Sequence, residues 1–175
     1  MFWYILLGLI VLLAVVALRV AKMPDSATYK RSAVIAAPPG RILPHLTDFR
    51  KWSAWSPWEQ LDPAMKRTYS GTAEGVGARY TWEGNKKAGA GSMEIVEVTP
   101  DSVHIDLRFT KPWASVCDTV FRLAPEVGAT RVSWTMAARQ TFGSKLFGLF
   151  MNMDKLIGKD FEKGLASMKR LAEAG

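Results

Sequence analysis

The chain has 175 residues, which is room for one domain with a real core plus an appendage. Hydrophobic residues make up 49% and charged residues 22%, which excludes a disordered chain. The formal net charge is +7, but the basic residues are spread out rather than run together, so a solvated basic surface is expected and a nucleic-acid partner is not.

Phe2 to Leu18 carries no charge and no proline. As a helix, Met1 to Leu18 spans ~27 Å, enough to cross a hydrocarbon core. Phe2, Trp3 and Tyr4 would lie in one interface, and Arg19 and Lys22 would mark the other. A cleaved signal peptide is the competing reading, and Val15-Val16-Ala17 could pass as its cleavage site. No Lys or Arg precedes the run, and the run exceeds a typical signal core, so a retained anchor over residues 1–20 is expected. The positive flank lies on the C-terminal side, which predicts a cytoplasmic soluble domain on a single-pass membrane protein.

Residues 21–28 read as a polar linker, and residues 29–175 as the soluble domain. Tyr29 to Ala36 alternates as a first strand, stopped by Pro38-Pro39. Gly40 to Leu46 forms a short helix, and Asp48 caps a second one running through Phe49, Trp52 and Trp55. Trp52, Trp55 and Trp58 either close one end of the core as a lid or rim a ligand cavity, and the two roles are compatible.

From Arg67 the pattern has period two, giving about seven strands in all with hairpin-length links, hence an antiparallel meander. Ser102 to Thr110 alternates most clearly, with Val103, Ile105, Leu107 and Phe109 on one face. Phe121, Leu123, Val132, Trp134 and Met136 complete the expected buried face. Gly143 to Ala174 has the three-and-four spacing of one long amphipathic helix that needs such a face as its partner. Its first half, around Leu146 to Met153, is too apolar for core packing alone and reads as a cavity wall or gate, with Gly148 and Gly158 as bending points.

The fold class is therefore α+β, a curved antiparallel sheet wrapped on a long C-terminal helix. This order resembles the START-like (helix-grip) superfamily in its polyketide cyclase/dehydrase-type branch. The likeness rests on Ala37-Pro38-Pro39, on Asp48-Phe49 with Trp52, Trp55 and Pro57, and on Tyr69-Ser70-Gly71 leading to Gly75-Val76-Gly77. Trp82-Glu83-Gly84-Asn85 and the closing helix add to it. The resemblance implies a hydrophobic ligand, such as a lipid, an isoprenoid or quinone, or a polyketide-like molecule, held between sheet and helix. Some such proteins catalyse cyclisation and others act as carriers.

The expected cavity lining is Trp52, Trp55, Tyr80, Trp82, Ile105, Phe109, Phe121, Trp134, Phe150 and Met153. Catalysis has thin support in the sequence. His45 is expected on a surface helix and His104 on the wet sheet face, and Cys117 reads as a packed thiol. Glu83 and Asp118 are the only carboxylates worth testing as acid–base groups, although alternation turns both outward. No metal-ligand spacing and no dinucleotide fingerprint appears, so no cofactor or metal is expected. The expected function is a membrane-anchored binding module for an apolar ligand, with a cyclase- or dehydratase-like enzyme as the alternative.

Overall fold

The computed structural model describes residues 1–174. Ten to twelve residues of alternating polarity make the longest strands, and all but the first of the sheet's strands pair in chain order. The elements are α1 (Phe2–Ala21), β1 (Ser26–Ile35), α2 (Pro39–Thr47), β2 (Lys66–Gly71), β3 (Ala78–Glu83), β4 (Ala90–Thr99), β5 (Ser102–Lys111), β6 (Ser115–Glu126), β7 (Ala129–Arg139), α3 (Phe142–Gly148) and α4 (Met153–Ala174). The sheet is antiparallel throughout, in the order β1-β7-β6-β5-β4-β3-β2, a six-strand meander closed on its far side by β1. α4 lies on β1 and the inner face of the sheet, which makes a helix grip.

α1 is long and apolar enough to cross a membrane, a test that a signal sequence also passes. Its side chains are exposed except near its end, where Val16 is half-buried and Val20 fully buried. The connection to the domain is shorter than the sequence suggests. β1 starts at Ser26 because Ser26, Ala27 and Thr28 pair with Arg139, Ala138 and Ala137. Pairing with β7 decides this, where local polarity reads as linker.

After β1 the chain crosses the end of the sheet. Pro39 sits in the first turn of α2, where a missing N–H costs nothing. The second short helix is two 3₁₀ turns, Phe49–Ala54 and Pro57–Gln60. Asp48 caps the first by accepting from the Arg50 amide at 2.9 Å.

The predicted long final helix is interrupted at residues 149–152. Thr141 and Ser144 form a capping box that starts α3 at Phe142, one residue before the expected start. Asn152 restarts the helix, its Oδ1 accepting from the Lys155 amide at 2.9 Å. From Met153 onward the stripe packs as expected, with Phe161, Gly164, Leu165, Met168 and Ala172 buried. Gly158 is no bend. It lies within α4, and a Cβ there would sit 2.0 Å from Arg31 Nη2. The missing side chain lets Arg31 cross from β1 to Asp154 (2.9 Å) and Glu162 (2.9 Å).

Candidate functional site

The expected cavity residues divide into two groups. Trp52, Trp55, Ile105, Phe121 and Trp134 are at most 2% exposed. Trp134 is the hub of that group, stacked on Phe161 at 4.2 Å and 3°. Phe121 lies 4.8 Å and Trp55 5.5 Å from it, and Trp58 covers its edge at 5.4 Å. Tyr80 and Trp82 stack beside Phe49 and Tyr69 at the β3 end, with Phe109 edge-on to Trp82 at 5.7 Å. These rings fill the space between the sheet and the second half of α4, so the tryptophans of residues 52–58 form a packed plug. Phe150 and Met153, the remaining two, lie elsewhere.

They line a groove of about 450 Å³ under the α3–α4 link, within the size range of small-molecule sites. Met23, Ala27 and Tyr29 form one wall, Gln140 just after β7 and Ser144 on α3 close one end, and Gly148 to Met153 form the roof. The groove exists because the helix breaks where it does. A continuous helix would carry residues 149–152 along the α4 axis, and the break swings them over β1 instead. Lys145 of α3 is nearly buried and holds Asp25 at 2.6 Å, which ties α3 to the segment between α1 and β1. That hydrogen bond lowers the Asp25 pKa. On the other side the Arg31 guanidinium lowers the Asp154 pKa in the same way. Burial raises the Tyr29 phenol and the Cys117 thiol, leaving neither as a nucleophile near neutral pH.

A second hollow, about 500 Å³, lies on the outer face of β2–β5 between Arg79, Glu94, Asp106 and Arg108. Its charges are paired with each other at 3.1 and 3.2 Å, and its walls are polar. Glu83 and Asp118 also face outward. Glu83 pairs with Lys111 at 2.8 Å, and Asp118 pairs with His104 Nε2. His104 lies on the outer face as the alternation implies. His45 departs from expectation: it is half-buried, its Nδ1 is buried without a partner among the described residues, and burial followed by the Lys51 charge lowers its pKa. α2 rests on α4 and the first 3₁₀ turn, which removes the surface position that its sequence suggests.

One polar cluster was not legible from spacing. Glu59, 9% exposed, accepts from the Tyr80 hydroxyl at 2.5 Å and from Arg67 Nε at 2.7 Å. Arg67 also donates to the Glu59 carbonyl at 2.9 Å and to the Met65 carbonyl at 2.9 Å. Burial, then Glu59, pushes the Tyr80 phenol far upward. The cluster is satisfied internally and lines neither of these two hollows, so its role is to tie the tryptophan plug to β2 and β3. Among the described residues no three of His, Cys, Asp and Glu come together as a metal centre.

The family model for polyketide cyclase / dehydrase and lipid transport proteins matches residues 26–173. The chain belongs to that family. The match starts where β1 starts and leaves α1 outside it. Solved structures share the fold at low identity. A protein from Chromobacterium violaceum is 16% identical with a TM-score of 0.59, over 86% of this chain and 99% of its own. The Aha1 protein from Colwellia psychrerythraea, solved as a dimer in solution, is 18% identical with a TM-score of 0.60, over 84% and 96%. A protein from Mycobacterium smegmatis is 21% identical with a TM-score of 0.55, over 84% and 91%. No curated protein matches the chain in sequence.

Proposed function

We propose that this family member is a membrane-anchored binding module that takes a lipid, an isoprenoid or a similar apolar molecule into the groove under the α3–α4 link. The observation that carries the reading is the groove itself. It is roofed by Leu149, Phe150, Met151 and Met153, and it lies beside the end of an apolar helix long enough to span a bilayer. The family description, which includes lipid transport, supports the ligand class. α1 would hold the domain at the membrane as a single-pass anchor, with the basic Arg19 and Lys22 at the cytoplasmic interface.

Turnover is the weaker reading. The polar groups at the groove are Tyr29, Gln140, Ser144 and Asn152, and none of them exchanges protons readily near neutral pH. They suit hydrogen bonding to a headgroup or carbonyl at one end of an apolar chain.

The test uses the full chain in lipid nanodiscs, titrated with a fluorescent fatty acyl probe. Ala27→Trp and Met153→Trp place a large ring in the groove and should each abolish saturable binding while the circular dichroism spectrum is kept. Saturable binding that survives both substitutions would place the ligand elsewhere. No apolar molecule extracted from, or titrated into, the wild-type protein would sink the binding-module reading.

A further inference from the structure

The apolar surface continues past the end of α1. Phe142, Phe147, Leu149 and Phe150, on α3 and the link after it, are 58, 41, 44 and 82% exposed. Trp113, on the turn between β5 and β6, is 70% exposed, and its ring lies 5.9 Å from that of Phe147. Two segments distant in sequence thus bring three or more large apolar rings to one end of the domain. A patch of this kind on a soluble surface marks a contact.

The position of the patch identifies what covers it. α3 packs on α1, Val16 and Val20 are covered near the end of α1, and Lys145 is bonded to Asp25 four residues beyond it. A short helix fixed against the last turns of a spanning helix lies at the depth of the lipid headgroups. Trp113 at that level, with Arg19 and Lys22 at the end of α1, matches the aromatic and basic preferences of a bilayer interface.

We propose that α3, the α3–α4 link and the Trp113 turn form one membrane-contact surface, with their apolar side chains sunk in the leaflet nearest the domain. The groove roofed by Phe150 then opens into lipid, and an apolar ligand enters sideways from the bilayer without crossing water. This rests on α1 spanning the membrane, as proposed above, and it adds a second, peripheral attachment.

The test places single cysteines in the full chain. Cys117, the only cysteine, is buried and is replaced by Ala. Nitroxide labels go to Phe150→Cys, Trp113→Cys, Leu12→Cys and Val127→Cys, each in vesicles of phosphatidylcholine and phosphatidylglycerol. Val127 is fully exposed on the β6–β7 turn, at the far end of β6, roughly 40 Å from the patch. Accessibility to oxygen, which concentrates in lipid, is compared with accessibility to an aqueous nickel chelate. Labels at 150 and 113 should favour oxygen at a depth of ~5–10 Å, the label at 12 should lie deeper, and the label at 127 should favour the chelate. If 150 and 113 behave like 127 while 12 stays in lipid, the contact surface is refuted and the anchor survives. If 12 also meets the chelate, the anchor fails and the contact surface with it. Shielding of 150 and 113 from both reagents would mean that a second copy of the chain covers the patch, and would refute the lipid contact. A native circular dichroism spectrum shows that each variant is folded.

Discussion

Tyr80→Phe removes one oxygen and keeps the ring. The phenol is 2% exposed, and its hydroxyl donates to the Glu59 carboxylate at 2.5 Å. The stacks with Tyr69 at 5.2 Å and Trp82 at 5.9 Å need only the ring, so packing is retained. The loss is one hydrogen bond to a charged acceptor, worth ~1.5–3 kcal/mol. Arg67 still holds the same carboxylate, so the lower end, about 1.5 kcal/mol, is expected. For a domain of this size that lowers the midpoint of thermal unfolding by ~3–6 °C. Tyr69→Phe is the control, because the residue is half-buried and its hydroxyl has no partner among the described residues, and it should change stability by about 0.5 kcal/mol or less. Both are read by tryptophan fluorescence on heating the full chain in nanodiscs. Adding Glu59→Gln completes a double-mutant cycle, in which the two losses should sum to more than the double variant loses. Equal midpoints for wild type and Tyr80→Phe, or strict additivity in the cycle, would refute the reasoning that this bond ties the plug to β3.

Gly91→Ala should cost about 1–3 kcal/mol, because the new Cβ would lie 2.4 Å from the Arg108 carbonyl oxygen and 2.5 Å from the Trp82 ring. An unchanged melting midpoint would mean that Trp82 does not lie across β4. Glu83→Gln and Asp118→Asn sit on the outer face and should leave both probe binding and stability within about 0.5 kcal/mol of wild type; a lost activity in either would revive the enzyme reading. Acidification tests the ties on either side of the groove. The pKa values of Asp25 and Asp154 are lowered in the folded protein, so the stability they add is present above the ordinary value of 3.8 and lost as pH falls through the lower folded values. Hydrogen exchange in α3 and the first turn of α4 should therefore rise only below that value, and a rise between about pH 5 and 7 would contradict the assignment.

Much of the fold was legible because alternation and three-and-four spacing are local signals. Val103, Ile105 and Leu107 face inward as their spacing requires, and Phe161 to Ala172 pack as one stripe. Two kinds of feature were not legible. Non-local pairing set the start of β1, since Ser26 gains strand geometry only from Arg139. The site turned on a competition within one helical stretch. Residues 142–153 are apolar enough to continue a helix, but Thr141 with Ser144 and then Asn152 each start a new one. Glu59 was hidden for a related reason, because its partners Arg67 and Tyr80 lie on strands the sequence cannot bring to it.

The division of the expected cavity residues follows from how a helix grip distributes volume. Four tryptophans, Phe121 and Phe161 occupy the closed half of the grip, where the second half of α4 lies close to the sheet. Such rings stack at fixed distances and leave little space, which makes that half rigid. The other half is spanned by the α3–α4 link, Leu149 to Asn152, between Gly148 and Met153 and over Ala27 and Tyr29. Methionine adapts to ligands of differing shape, and Leu149, Phe150 and Met151 of the link are exposed. A domain that must stay folded while admitting an apolar molecule gains from keeping these two properties at opposite ends. Here the adaptable end lies beside α1, the helix long and apolar enough to cross a membrane.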